Sequence, residues 1–209
     1  MRVFDLNTPP RMVLAAAIGL AMTACIATQP PPQSAAGFVA TDTLSISPTI
    51  PALPMPDREL LLRLRDPNIL EHLRAGDSLE IAMAQVARHR ANDTAIGRFA
   101  GRMIADHTMS LLDEKALADR RGLSMQIAPG DTIGPHLFAL LDSLETTPTR
   151  QFDRRYMAVQ IQMHQHMLAE LQALRMVASD ESLKRHIDQS IPVVRAHLAR
   201  AIAIVGQAP

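Results

Sequence analysis

Apolar residues recur at three-and-four spacing in four long stretches of this chain, and that period leaves each stretch one natural form, an α-helix with a single buried face. The first stripe reads Ile69, Leu73, Gly76, Glu80, Ala84 and Ala87, with Arg74, Asp77, Arg88 and Arg90 mostly off it. The second is Ile96, Ala100, Met103, His107, Leu111 and Glu114, and the third Met157, Ile161, His164, Leu168 and Leu171. The fourth is Leu183, Ile187, Val194, His197, Ala201 and Ile204. No stretch alternates convincingly with the period of two that a half-buried strand needs. The expectation is an all-α, up-down-up-down four-helix bundle.

Each stripe is broken near its middle by one residue of metal-ligand type: Glu80, His107, His164 and His197. Glu80 lies about as far before the turn at Asn92-Asp93 as His107 lies after it, and His164 and His197 are balanced in the same way about Ser179-Asp180. At 1.5 Å rise per residue, the members of each pair differ in height by no more than roughly 5 Å. In an up-down-up-down bundle all four would converge at mid-depth.

Start and stop signals support this division. Asp66 before Pro67 reads as an N-cap followed by proline at the first helical position, Asp93 and Asp180 as further caps, and Gly122 as a C-terminal stop. Asp153 falls in a first turn, where its charge suits the helix dipole. Residues 124–130 read as loop, and 132–144 as a short amphipathic helix between the second and third long ones. Pro192 lies inside the last helix, about one turn before His197, which predicts a kink.

The beginning of the chain points to export. Arg2 and Arg11 precede an apolar run from Met12 to Ala24, shorter than the roughly 20 residues that cross a bilayer as a helix. A cleaved signal peptide over residues 1–25 fits. The run ends in Met22-Thr23-Ala24-Cys25, which resembles a bacterial lipobox, and Cys25 is the chain's only cysteine. That excludes an internal disulfide or a CxxC motif and leaves lipidation as its natural use. The alternative is an ordinary signal peptide with an incidental cysteine. Ile26 stands where an aspartate would favour inner-membrane retention, so the expected place is the periplasmic side of a Gram-negative outer membrane. Residues 26–56, with Pro30-Pro31-Pro32 followed by Pro48, Pro51, Pro54 and Pro56, cannot bury a core and read as a disordered tether. The bundle domain is expected over residues 57–209.

Composition removes several functions. A formal net charge of zero, no Trp and one Tyr argue against nucleic acid, which needs a cationic footprint and usually stacking aromatics. Arg88-His89-Arg90, Arg120-Arg121 and Arg154-Arg155 read as solvated helix faces. No Gly-rich phosphate loop follows a strand, and no nucleophile-elbow motif is present.

A carboxylate and three imidazoles can close a site around one divalent ion of Fe, Mn, Zn or Cu. A di-metal centre is less well supplied. It needs two Glu-x-x-His pairs and two more glutamates, Ile104 and Val194 occupy the positions three before His107 and His197, and carboxylates are too few for two metals unless Glu114 and Asp106 are recruited. Against the metal stands a self-satisfied network in which Glu80 accepts from an imidazole, and Asp106 or Tyr156 completes the bonding and fixes helix register. An oxidase-type centre is a third alternative. Met157, Met163, Met167, Met176 and Met103 suggest soft copper ligands, but methionine is also an adaptable core filler in a chain with 3% aromatics. His166 is expected to face a neighbour other than that of His164, and His72, His89, His136 and His186 read as surface residues.

Taken together, Glu80 with Ala84 and Ala87, Phe99-Ala100, Met103-Ile104 and Asp106-His107, Phe152-Asp153 with Tyr156 and His164, and Ile191-Pro192 with His197-Leu198 and Ala201 resemble the exported bacterial domain-of-unknown-function family 4142. The resemblance covers roughly residues 66–205, with Met-x-x-Asp-His and Phe-Asp-x-x-Tyr its most specific parts. It implies a ferritin-like bundle in the bacterial envelope and brings no established reaction. The expectation is therefore a membrane-anchored bundle with a mid-bundle metal cluster. Its rival is a non-enzymatic envelope or interaction module whose cluster only stabilises the core, with protein partners open in either case.

Overall fold

The computed structural model of this chain describes residues 58–130 and 133–207. The expected signal peptide, Cys25 and the tether lie outside them. Among the described residues every regular element is helical: α1 (Arg58–Arg63), α2 (Asp66–Arg90), α3 (Thr94–Arg121), α4 (Ile133–Glu145), α5 (Thr149–Val177) and α6 (Glu181–Gly206). The four long helices and the short one after α3 follow the expected order. α1 is an addition. Its Leu61, and Leu64 just beyond it, are buried in the same cluster as Leu171 and Leu174 of α5. None of these helices is long and apolar enough to cross a membrane.

Short turns force α2 against α3 and α5 against α6 as antiparallel hairpins, and the hairpins meet through α3 with α6 and α2 with α5. Two aspartates lock them together. Asp153, the fifth residue of α5 and so just past the first turn in which the sequence placed it, accepts from the backbone N–H groups of Asn92 (3.1 Å) and Asp93 (2.9 Å) in the α2–α3 turn. Asp66 does the same at the other end of the bundle, accepting from Ser179 N (2.8 Å) and Asp180 N (3.0 Å) in the α5–α6 turn. This corrects the cap expected at Asp66: Arg65 occupies the N-cap position, and the Asp66 carboxylate serves the other hairpin.

The remaining signals act as the sequence suggests. Asp93 caps α3 through Ala95 N (2.6 Å), and Asp180 caps α6 through Ser182 N and Leu183 N. Gly122 ends α3 with φ 62°, a left-handed conformation that glycine adopts without a Cβ clash. α6 continues through Pro192 to Gly206. Arg90 is not a free surface charge: its guanidinium lies 4.6 Å from the Phe152 ring centre and donates to the Leu144 and Glu145 carbonyls at the end of α4.

The core is divided. One apolar cluster holds Met83, Phe99, Met103, Phe152, Tyr156 and Ala201, and the other Ile69, Leu70, Leu174, Leu183, Ile187 and Val194. On each long helix the switch from one cluster to the other falls at a buried polar residue: Asp77 and Glu80 on α2, His107 on α3, Gln160 and His164 on α5, and His197 on α6. The bundle thus has a polar layer between two greasy halves.

Candidate metal centre

The structure brings three of the four stripe-breaking residues into one compact group. His107, His164 and His197, from α3, α5 and α6, each offer one ring nitrogen, and these nitrogens all lie within 4.8 Å of one another. Their ring centres are 5.4 Å apart for His107–His197 and for His164–His197, and 6.3 Å apart for His107–His164. All three side chains are buried. Glu80 borders the group without joining its compact set: its Oε1 is 3.7 Å from His164 Nδ1, and its Oε2 accepts from Gln160 Nε2 at 2.9 Å.

Each imidazole is fixed from outside by one nitrogen only. His107 Nδ1 lies 2.7 Å from Asp77 Oδ1, His164 Nδ1 donates to the Gln160 carbonyl at 2.9 Å, and His197 Nε2 lies 2.9 Å from Asp106 Oδ2. Opposite an acceptor, a neutral ring must place its proton on the facing nitrogen. That assigns the lone pairs to His107 Nε2, His164 Nε2 and His197 Nδ1. These three atoms, and Glu80 Oε1, are buried and make no hydrogen bond within the protein.

The charges in this layer favour a neutral ring at His164 and His197 but a protonated one at His107. Burial, helped by the charge of His107 in its protonated form, depresses His164 to about 4. Burial also lowers His197, overriding its hydrogen bond to Asp106. Burial acts on His107 too, yet the hydrogen bond to Asp77 and the nearby Glu80 charge outweigh it, so His107 is raised. Glu80 is raised by burial, against the attraction of His107 and the hydrogen bond from Gln160. Asp106 is lowered: burial is outweighed by the pull of His197 and Arg102.

Beside this layer a cleft of about 250 Å³ is lined by His107 and His197, and also by Asp77, Glu114 and His186. Glu114 is 1% exposed, and burial pushes its carboxyl up to about 7 against the pull of His186, whose Nε2 is 3.6 Å away.

Several sequence expectations are corrected here. Asp77, set aside as an off-stripe charge, is buried and orients His107; its place three residues before Glu80 put both on one face. Gln160 shows no sequence signal beyond its position one turn before His164. Asp106 does complete the polar network through His197, but the Tyr156 hydroxyl makes no hydrogen bond, and burial raises it well above the usual phenol range. His72, read as a surface residue, is buried, and His186 is half-buried. His89 is exposed as expected.

Comparison with known proteins gives one family and one fold relative. Residues 53–204 match the family described as domain of unknown function (DUF4142). A crystal structure of a DUF305 fragment from Deinococcus radiodurans superposes with a TM-score of 0.58 at 17% sequence identity, covering 68% of this chain and 95% of that one. At that identity the likeness speaks for the helical fold alone. No curated protein matches the chain.

Proposed function

We propose that this chain, which belongs to the DUF4142 family, is a lipid-anchored envelope protein whose ferritin-like bundle holds one divalent metal ion between His107, His164 and His197. The observation that supports this most is the pairing of tied and untied nitrogens. Three imidazoles are each braced by an acceptor at one nitrogen and keep the other buried without a hydrogen bond, and one nitrogen from each ring lies within 4.8 Å of the others. Metal-bound histidines are braced in this way, with the second N–H held by a carboxylate or a carbonyl. Without an ion, three ring nitrogens and a carboxylate oxygen are buried with no hydrogen bond within the protein, each at a desolvation cost of about 1–3 kcal/mol. One divalent cation satisfies them together. Imidazole with a neighbouring carboxylate suits Zn, Fe, Mn or Cu, and Glu80 is placed to approach as a fourth ligand or to balance the charge.

The rival reading, a purely structural network, draws on the bonds His107–Asp77, His197–Asp106 and Gln160–Glu80. It accounts for half of each side chain and leaves the other half unexplained. Equilibrium dialysis of the metal-stripped full chain against Zn2+ separates the two. The metal reading expects a tight equivalent that disappears in His107→Ala, His164→Ala and His197→Ala alike. Zn2+ uptake that none of these changes would overturn it.

Anchoring rests on the sequence Met22-Thr23-Ala24-Cys25. Acyl labelling and membrane fractionation should both be lost in Cys25→Ala. Labelling that persists in that variant would sink the anchor, and recovery with the inner rather than the outer membrane would overturn the assignment drawn from Ile26.

A further inference from the structure

Two helical turns along α3 from His107, about 10 Å by helix geometry, the cleft holds a second group of Glu and His side chains. Glu114 is almost fully buried on α3, lines the cleft, and has neither carboxylate oxygen in a hydrogen bond. His186 of α6 lines the same cleft, and its Nε2 stands 3.6 Å from Glu114 Oε1, again without a hydrogen bond. A second Glu–His ion pair, His72 Nε2 of α2 with Glu170 Oε2 of α5, 3.7 Å apart, lines it as well. Each of the four long helices therefore contributes one Glu or His to this second group.

The spacing of the first pair is informative. At 3.6 Å it is longer than the 2.7–3.2 Å of a good hydrogen bond. Two ligand atoms on one tetrahedral Zn2+, at about 2.0–2.2 Å each, sit about 3.4 Å apart. A buried carboxylate and a half-buried imidazole held off at nearly that distance, with the facing atoms of both lacking a hydrogen bond, fit a shared cation better than they fit each other. The surroundings favour a cation too: Asp77, Asp106, Asp113 and Glu170 outnumber Arg102 in the lining, the Arg74 charge that reaches Glu114 is paired with Glu71, and an acidic concavity with low-dielectric walls concentrates cations.

We propose that Glu114 and His186 form a second divalent-cation site, distinct from the histidine group and open to the cleft. Two protein ligands leave the remaining coordination positions to water, so the ion exchanges readily and binds more weakly than one held by three imidazoles. Asp77 stands between the sites, with Oδ1 on His107 and with Oδ2, free of hydrogen bonds, among the atoms of a residue lining the same cleft. An ion at Glu114 would thus occupy the cleft that leads past Asp77 to His107 and His197.

This site stands or falls separately from the histidine group. The test is Zn2+ titration of the metal-stripped full chain by equilibrium dialysis, with helicity monitored by circular dichroism. Two equivalents are expected, the second at least about tenfold weaker. Glu114→Gln and, as a milder change at a half-buried position, His186→Gln should each lose the weaker equivalent and keep the tight one. His164→Ala should do the reverse. A wild-type protein that takes up a single equivalent sensitive to His164→Ala, or a weaker equivalent that survives in a folded Glu114→Gln or His186→Gln protein, would overturn the proposal.

Discussion

Asp77 Oδ1 lies 2.7 Å from His107 Nδ1, across the interface between α2 and α3. In the neutral ring the contact holds the proton on Nδ1, leaves Nε2 with the lone pair, and makes Nε2 more basic. Asp77→Asn keeps the shape and an acceptor oxygen but removes the charge. Loss of such a bracing carboxylate typically weakens metal affinity by about 10–100-fold. The Zn2+ Kd of the tight equivalent in Asp77→Asn should rise by that factor while helicity holds. A wild-type Kd in this variant would reduce Asp77 to a packing role.

Acid should destabilise the metal-free protein in a defined window. His164 is held at about 4 in the fold by burial and by protonated His107, with Glu80 and His197 also facing it, whereas an unfolded histidine titrates near 6.5. Between those values the unfolded chain takes up a proton that the folded one refuses. Stability from this group is therefore complete above about pH 6.5 and falls as pH drops to about 4, by on the order of 3 kcal/mol. Glu114 acts in the opposite sense. Its folded value of about 7 means the fold keeps a proton that the unfolded chain releases, so its contribution is lost as pH rises from about 4.5 to 7. Removing that group should expose the histidine effect. Urea unfolding in the presence of chelator should show a steeper loss from pH 6.5 to 4.5 in Glu114→Gln than in wild type, and parallel profiles would contradict the assignment.

The hairpin cross-braces should act independently. Asp66 and Asp153 each accept backbone N–H groups from the turn of the other hairpin, at opposite ends of a bundle whose α2 has 25 residues, about 37 Å of helix. Both aspartates are half-buried, and Asp66→Ala and Asp153→Ala should each cost about 1 kcal/mol, comparable to losing a helix cap. Sites this far apart add within about 0.5 kcal/mol. Chemical denaturation of the double variant should give the sum, and a marked excess would mean that the two turns are coupled through the helices.

Much of this architecture was legible because helical periodicity is a local property. Ile69, Met103, Leu171 and Ile204 lie on stripes that the sequence displays, and they are buried; Asp93, Asp180 and Gly122 end helices by interactions within a few residues. The convergence of His107, His164 and His197 was also readable, because equal distances from two short turns fix equal heights in a bundle. What could not be read depends on neighbours remote in sequence. Asp66 looks like a cap and instead serves residues 113 and 114 positions away. Arg90 resembles surface charge until the end of α4 arrives beneath it. His72 and Glu114 flank a cleft whose existence depends on how α2, α3, α5 and α6 diverge, and no single stripe encodes that. Leu168, on the third stripe, is only half-buried, while Phe152, Tyr156 and Leu174 on the adjoining face are fully buried. The contact face of α5 is rotated slightly from the one its apolar pattern suggests, toward the aromatic residues that bring the most area.

That rotation makes a packing prediction concrete. Leu174→Ala should cost about 2–5 kcal/mol through lost apolar burial and a residual cavity, because Leu174 is 0% exposed. Arg154→Ala on the exposed side of the same helix should stay within about 0.5 kcal/mol. Equal effects in thermal or urea unfolding would mean that the buried face of α5 is misassigned.

The most discriminating substitution is Glu80→Gln. Glu80 is 0% exposed, its carboxyl is raised by burial, and only Oε2 has a hydrogen bond, from the Gln160 amide. In the metal-free protein an ionised Glu80 is therefore a strained guest of the core, and replacing it by a neutral amide of the same shape should leave stability unchanged or raise it. With Zn2+ present the expectation reverses, because the carboxylate is the anionic group beside three neutral imidazoles. A tenfold weaker site reduces the saturating stabilisation by about 1.4 kcal/mol. A structural network predicts the opposite pattern: a loss of roughly 1–3 kcal/mol in the metal-free protein from the disrupted bonding, and no further change on adding Zn2+. Unfolding curves of wild type and Glu80→Gln, each with chelator and with Zn2+, separate the two. A variant destabilised equally in both conditions would exclude a role for Glu80 beside a bound ion.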